Sequence, residues 1–208
     1  MDRPTRALIV IDVQNEYFTG ELPIEYPPVE ISLNNIIRAM AVAKKEGIPI
    51  VVVQNSAAEN SPVFARGSKG WALHPEIQRQ HHDLLIEKRL PDAFAETALM
   101  AWLKDRQINT LTIVGYMTHN CDASTIYHAS HAGFSVEFLS DATGSLPYEN
   151  QAGKATAEEI HRVFSVVFHS RFAAAASTAE WLKAVENKQG IAGGNILASN
   201  HKARGLKS

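Results

Sequence analysis

The sequence feature that most constrains the fold is a repeated alternation of short apolar runs with helical patterns. The apolar runs are rich in Val, Ile and Leu and lie at residues 7–13, 48–54, 84–87, 111–116 and 135–140, with a shorter one at 172–176. They are continuously apolar, which is typical of strands buried on both faces of a parallel sheet. The runs therefore predict six strands of one such sheet.

Helical patterns fill the segments between these runs. Apolar residues recur at steps of three and four within residues 33–43, 95–103 and 160–168, and a last helix is predicted at 177–187 with Ser177 or Thr178 as its N-cap. Strands that alternate with helices predict a three-layer α/β/α domain with right-handed crossovers. Active sites in such domains lie beyond the carboxyl ends of the strands.

Composition excludes several classes of partner. The 20 basic and 22 acidic side chains give a formal net charge of −2, so nothing favours nucleic acid or an anionic membrane. The sequence has no apolar run long enough to span a bilayer and no recognisable signal peptide, so we expect a cytoplasmic protein with a small-molecule partner. A single cysteine excludes an internal disulfide.

Two segments interrupt the alternation. Residues 55–83 form a long connection with little periodicity, and such loops are often functional. Residues 188–208 form a tail that contains glycines and basic residues and has no acidic residue. We therefore predict one domain at 1–187 and a C-terminal tail at 188–208 that docks on a neighbouring subunit.

Three residues with reactive side chains follow three of the predicted strands. Asp12 ends the first strand, Lys88 ends the third, and Cys121 comes shortly after the fourth. Each has an ordinary explanation alone: a loop-capping aspartate, a solvated lysine, a small buried thiol. Because the carboxyl ends of parallel strands share one edge of the sheet, the three together predict a nucleophile, a base and an electrostatic helper in one site.

Cys121 is predicted to lie in the first turn of a helix at 121–131 that is closed by Gly133. The free backbone N–H groups and the positive end of the helix dipole would stabilise a thiolate there. We therefore expect the pKa of the Cys121 thiol to be lowered. The same N–H groups could receive an oxyanion.

Ordered motifs extend this hypothesis. They are DVQNEYF at 12–18, GWALHP at 70–75, EK at 87–88, GYMTHNC at 115–121 and DAT at 141–143. In this order, over about residues 7–185, the set resembles the isochorismatase-like cysteine hydrolase superfamily, in particular its amidohydrolase branch.

The resemblance implies both a fold and a mechanism. It implies a six-stranded parallel sheet in the order 3-2-1-4-5-6, with Cys121 as nucleophile, Asp12 as general base and Lys88 balancing the charge. It also implies a cis peptide between Tyr116 and Met117, and an oxyanion hole formed by the N–H groups of Met117 and Cys121. The implied reaction hydrolyses a C–N bond of a small amide, ureido or carbamoyl substrate through a thioester. No cofactor is implied, and a homo-oligomer, dimer or tetramer, is expected.

The sequence departs from the family pattern in two places. Members often carry Val after the cysteine, where this chain has Asp122. Consecutive helical residues point about 100° apart, so we expect Asp122 to affect the thiol little.

Nicotinamidases, which the chain also resembles, carry an Asp-x-His metal motif after the second strand. Asn55 and Ala57 stand there instead, so we predict no metal and consider nicotinamidase activity disfavoured.

Substrate contacts are less well determined by the sequence. Phe18, Trp71 and Tyr116 could line a planar or apolar substrate or could belong to the core. Gln14 and Asn55 are candidate polar contacts. His119 and His169 could line the pocket, although a structural role is favoured for each. Two alternatives stay open. One is hydrolysis of a vinyl ether with a proton from Asp12 and no thiol chemistry, and the other is a non-catalytic member that keeps the fold.

Overall fold

A computed structural model describes residues 4–206, so predictions for 1–3 and 207–208 lie outside the described residues. Six strands form one parallel sheet, and numbered among themselves in chain order they lie 3-2-1-4-5-6 across it, which confirms the predicted order. The strands are β1 Arg6–Ile11, β2 Ile50–Asn55, β3 Leu84–Lys88, β4 Thr110–Tyr116, β5 Ser135–Gly144 and β8 Ala174–Ala176. A small hairpin, which the sequence did not reveal, pairs β6 Tyr148–Asn150 with β7 Gly153–Ala155.

Helices cover both faces of the sheet, as predicted for a three-layer domain. They are α1 Glu16–Thr19, α2 Val29–Lys45, α3 Pro75–Gln78, α4 Leu99–Asp105, α5 Ala123–His131, α6 Ala157–Val167, α7 Thr178–Glu186 and α8 Ile196–Ala203. Two π-helical turns, Thr118–Asp122 and Phe168–Phe172, precede α5 and follow α6. Ser177 caps α7 through a reciprocal bond pair with Glu180, so of the two predicted N-caps it is the one used. No helix in residues 4–206 is both long and apolar enough to cross a membrane.

The hydrophobic core forms one layer on each face of the sheet. Helices α2 and α7 pack on one face through residues such as Met40 and Trp181, and helices α4 and α5 pack on the other through residues such as Leu103 and Ile126. All six residues of β1 are buried because this strand lies between β2 and β4 and is covered on both faces. This burial explains why residues 7–11 are continuously apolar, while the charge of Arg6 at the start of the strand is paired with Glu137.

Gly115 allows β4 to approach β1 closely just before the site. Its φ is +117°, and a Cβ at this position would lie 2.0 Å from the carbonyl oxygen of Ile11. A side chain is therefore excluded by both the backbone conformation and the contact. The peptide that follows, between Tyr116 and Met117, is cis in the structure.

The first part of the C-terminal tail packs against its own domain. The carbonyl oxygen of Gln189 accepts a hydrogen bond from the Arg6 guanidinium, and the N–H of Gly194 donates to the carbonyl oxygen of His169 at 2.8 Å. Helix α8 follows, with Ile196 and Leu197 exposed. That the tail beyond Gly194 docks on a neighbouring subunit stays a prediction.

Candidate active site

Asp12 lies directly after β1, at the carboxyl edge of the sheet. Its φ is +51°, in the left-handed region that few residues other than glycine adopt, and its N–H donates to the carbonyl oxygen of Val53 at 2.9 Å. The side chain is fully buried. Non-glycine residues held in this conformation are concentrated at functional sites, because the surrounding structure must maintain an unfavourable backbone.

Lys88 is the last residue of β3 and pairs in register with Asn55 of β2. Its side chain is buried, and its Nζ lies 2.7 Å from Asp12 Oδ2. The same Nζ donates to Cys121 Sγ at 3.3 Å. The ammonium group therefore joins the carboxylate to the sulfur, although these side chains come from three separate strand ends.

Cys121 lies in the π-helical turn Thr118–Asp122, not in the first turn of an α-helix as predicted. The turn is wide because the N–H of Asp122 donates to the carbonyl oxygen of Met117, five residues before it, at 3.2 Å. The α-helix begins only at Ala123. Sequence periodicity does not distinguish the two kinds of turn.

The expected lowering of the Cys121 pKa is also wrong. Burial raises the pKa of the Cys121 thiol well above its usual range, and the neighbouring Asp12 charge raises it further, while Lys88 opposes both. Cys121 as a whole is only 5% exposed, so desolvation of a thiolate outweighs any helix dipole. The resting sulfur is therefore protonated and needs a base before it can act as a nucleophile.

The other two groups supply such a base. Burial raises the pKa of Asp12 from its usual range, although Lys88 opposes the shift. Burial alone would lower the pKa of Lys88, but the charges of Asp12 and Cys121 reverse this and raise it. A carboxylate with a raised pKa beside a permanently charged ammonium is a stronger general base than an ordinary aspartate.

Two predicted substrate contacts belong to the framework of the site. Gln14 is fully buried; its amide nitrogen donates to the carbonyl oxygens of Asn55 and Trp71 at 2.9 and 2.7 Å, and its amide oxygen accepts from the Asn55 N–H at 2.9 Å. Tyr116 is also fully buried, with its hydroxyl 2.7 Å from that of Ser32. Gln14 holds the end of β1 to β2 and to the long loop, whereas Tyr116 joins β4 to α2. The polar atoms of both side chains have partners within the protein.

The remaining predicted contacts lie around the same edge of the sheet. Phe18 is half-buried and packs its ring against His74 at 4.3 Å between centroids and edge-on to Tyr116 at 5.9 Å. Trp71, also half-buried, donates from its indole nitrogen to Ser56 Oγ at 2.6 Å. His169, in contrast, accepts from the Ala175 N–H at 3.2 Å beside the tail, where it serves the structure.

Asp122 was expected to affect the thiol little, and the structure contradicts this expectation. Its side chain is fully buried, and neither carboxyl oxygen has a hydrogen-bond partner among the residues described. Burial and the Asp12 charge raise its pKa well above the usual range, and its own charge contributes to the raised pKa of Cys121. The acidic residue beside the only cysteine was a visible signal, but the π-helical turn and the burial were not.

A metal cluster is a separate question. In the part of the chain that the structure describes, no group of three or more His, Cys, Asp and Glu side chains is arranged so that it could hold a metal ion. Asn55, at the position of the nicotinamidase metal motif, uses its backbone N–H and carbonyl oxygen to hold Gln14. The independence from metal stays a prediction.

A parallel α/β sheet that gathers a thiol, a carboxylate and an ammonium at its carboxyl edge defines the isochorismatase-like class of hydrolase folds. Residues 6–180 match the isochorismatase domain family, so the chain belongs to that family. The family is one of hydrolases, and the resemblance seen in the motifs is confirmed at the level of the whole domain.

Similar proteins support the same assignment. A crystal structure from Burkholderia xenovorans LB400, described as a candidate isochorismatase, is 64% identical with a TM-score of 0.97 and covers 98% of both chains. The uncharacterised isochorismatase family protein YddQ of Bacillus subtilis strain 168 is 26% identical over 181 residues, 86% of this chain and 99% of its own. The ureidoacrylate amidohydrolase RutB of Methylobacterium radiotolerans is 27% identical over 195 residues, covering 78% of this chain and 72% of RutB.

Proposed function

We propose that this isochorismatase-family protein is a cysteine hydrolase that cleaves a C–N bond of a small amide, ureido or carbamoyl substrate without a metal. The observation that carries the proposal is the buried cluster in which Lys88 Nζ lies 2.7 Å from Asp12 and 3.3 Å from Cys121 Sγ. The name of the relative RutB supports an amide-type substrate, since it describes an amidohydrolase.

The proposed reaction begins with the protonated thiol. Asp12 removes the thiol proton as Cys121 Sγ bonds to the substrate carbonyl carbon, and the carbonyl π electrons move onto oxygen. We assign the stabilisation of this oxyanion to the N–H groups of Met117 and Cys121. The oxyanion then collapses, the C–N bond breaks, and Asp12 returns the proton to the leaving nitrogen.

The second half of the reaction regenerates the thiol. A water molecule gives a proton to Asp12 and bonds to the thioester carbonyl carbon. Collapse of this second oxyanion breaks the C–S bond and releases the carboxylic or carbamic acid, and the proton on Asp12 returns to sulfur. Lys88 stays protonated throughout and offsets the negative charge that moves between oxygen and sulfur.

The test is a screen of primary amides, ureido acids and carbamoyl compounds with the unmodified protein and with Cys121→Ser. Because Cys121 is the only cysteine in the sequence, iodoacetamide alkylates one defined thiol, and the mass of the product confirms it. We expect C–N cleavage that both changes abolish. Hydrolysis of a vinyl ether that survives alkylation would instead support the alternative in which Asp12 donates a proton and the thiol takes no part.

A further inference from the structure

His119 lies in the same π-helical turn as Cys121, two residues before it. Its ring meets that of Tyr148 edge-on at 5.0 Å between centroids and lies 6.2 Å from that of Phe164. Tyr148 is within electrostatic range of the reacting sulfur, since burial and then the Cys121 charge raise the pKa of its hydroxyl. His119 and its aromatic neighbours therefore border the site on the side of β5 and the hairpin.

The two ring nitrogens of His119 differ in their hydrogen bonding. Nδ1 lies 3.1 Å from Ser145 Oγ, which fixes the orientation of the ring. Nε2 is buried and has no partner in residues 4–206. Burial lowers the pKa of His119 to about 4, so the ring is neutral at physiological pH. A neutral ring with one buried and unpaired nitrogen lacks one hydrogen bond.

His161, a second histidine near this turn, has a purely structural role and serves as a comparison. His161 is also neutral, because burial lowers its pKa to about 4. Its Nδ1 lies 3.0 Å from Thr118 Oγ1, and it also bonds to the backbone of Ser140. Both side chains are close to the same turn, yet only that of His119 has a nitrogen left unpaired in the described chain.

The charges around the sulfur restrict the ligand that could supply the missing hydrogen bond. Besides Lys88, the groups that act most strongly on the thiol are two buried carboxyls, Asp12 and Asp122. The Lys88 ammonium is buried and already contacts both Asp12 and Cys121. A substrate carboxylate at this point would lie near the Asp12 carboxylate without a new cationic partner from the triad.

We propose that His119 binds the substrate through Nε2 as a neutral hydrogen-bonding group and selects amides whose second polar group is uncharged. The inference rests on the proposed function, because it assigns a specificity residue to the same site. The aromatic rings of Tyr148 and Phe164 hold the His119 ring in place for this contact. The substrate class is a small neutral amide with a carboxamide, hydroxyl or carbonyl near the scissile group.

Matched pairs of compounds test this selection. Succinamide and succinamate, and N-carbamoylglycinamide and N-carbamoylglycine, differ within each pair only in an amide against a carboxylate. Binding to Cys121→Ala, measured by calorimetry, and turnover by the unmodified protein should both favour the neutral member by about tenfold or more. Equal binding, a preference for the carboxylate, or no binding of any of the four compounds would overturn the inference.

Substitutions at His119 test the residue itself. His119→Phe keeps the ring volume and removes Nε2; it should raise KM for the neutral compound about tenfold and remove the selection, with kcat changed much less. His119→Gln should restore part of the selection, and His131→Gln, at an exposed position on α5, is the control for loss of a histidine. Unchanged KM and selection in both His119 variants would contradict the assignment. Selective cleavage that persists in Cys121→Ser would instead refute the proposed thiol mechanism and leave the role of His119 standing.

Discussion

Each end of the central sheet holds a buried ion pair, and the two pairs are built differently. At the amino end, Arg6 on β1 and Glu137 on β5 lie 2.7 Å apart, and at the carboxyl end Lys88 and Asp12 lie at the same distance. The Glu137 carboxylate accepts five hydrogen bonds: two from Arg6, and one each from Thr112, Trp181 and the N–H of Ile191. This end is a saturated polar network.

The carboxyl end keeps its polar groups less satisfied. Lys88 bridges Asp12 and Cys121, but both oxygens of Asp122 and one ring nitrogen of His119 have no hydrogen-bond partner within residues 4–206. The backbone of Asp12 is also held in the left-handed region. The comparison shows that burial of charge alone does not define a site. A saturated network stabilises the fold, whereas an unsaturated one leaves groups available for a ligand.

The largest expected effect is a loss of kcat on substitution at the carboxyl end of the sheet but not at the amino end. Asp12→Asn removes the general base and should lower kcat per folded molecule by about 10²–10⁴-fold. Glu137→Gln, at the opposite end, should leave kcat within about threefold, because it contacts no group of the triad. Steady-state kinetics corrected for the folded fraction measure both. Similar losses of kcat in both variants would remove the functional distinction between the two ends.

Stability should show the next largest effect, at the saturated end. Glu137→Gln leaves the buried Arg6 charge without its carboxylate and should lower the free energy of unfolding by about 3–5 kcal/mol. Glu149→Gln is the matched control, because its ion pair with Lys154 is exposed and is worth about 0–1 kcal/mol. Urea denaturation compares the two. Equal effects would mean that the network of hydrogen bonds around Glu137 adds nothing.

Acid should destabilise the protein through His161, near the carboxyl end. Burial lowers the pKa of His161 to about 4 from an ordinary 6.5, so the unfolded chain binds more protons between these values. The stabilising contribution is complete above pH 6.5 and is lost as the pH falls towards 4, by up to about 3 kcal/mol. His161→Gln should flatten this part of the stability curve measured in urea, and His131→Gln should not.

The smallest effect is expected at Asp122. Burial and the Asp12 charge raise the pKa of the Asp122 carboxyl, which favours its protonated, neutral form. Asp122→Asn keeps the shape of that neutral form, so kcat at pH 7 should change by less than about threefold. A large gain in activity would show instead that Asp122 is ionised and that its charge suppresses the thiol.

The sequence predicted the larger part of the fold because strands buried on both faces of a parallel sheet leave continuous apolar runs. The edge strand β3 is an exception: its residues alternate between exposed and buried, and it was predicted from the consecutive apolar residues at 84–86. The sequence also placed Asp12, Lys88 and Cys121 at one edge, since strand ends in parallel sheets share an edge. It missed the hairpin at 148–155, whose two strands are only three residues each and largely exposed.

The electrostatics of the site could not be predicted in the same way. The pKa of the Cys121 thiol depends on how deeply the sulfur is buried, and a lone cysteine after a strand says nothing about depth. Likewise the partners of Gln14, Tyr116 and His119 come from residues far away in the chain. Only the folded arrangement shows which of their polar atoms are paired.

The most direct test of the central claim is the mass of the intact protein during turnover. The unmodified protein is mixed with an amide substrate found in the screen, quenched with acid within the steady state, and examined by mass spectrometry with peptide mapping. If the thiol is the nucleophile that Asp12 and Lys88 activate, an acyl group appears on Cys121 and disappears when the substrate is exhausted. Continued turnover with no adduct on Cys121, at the same rate in Cys121→Ser, would contradict the account.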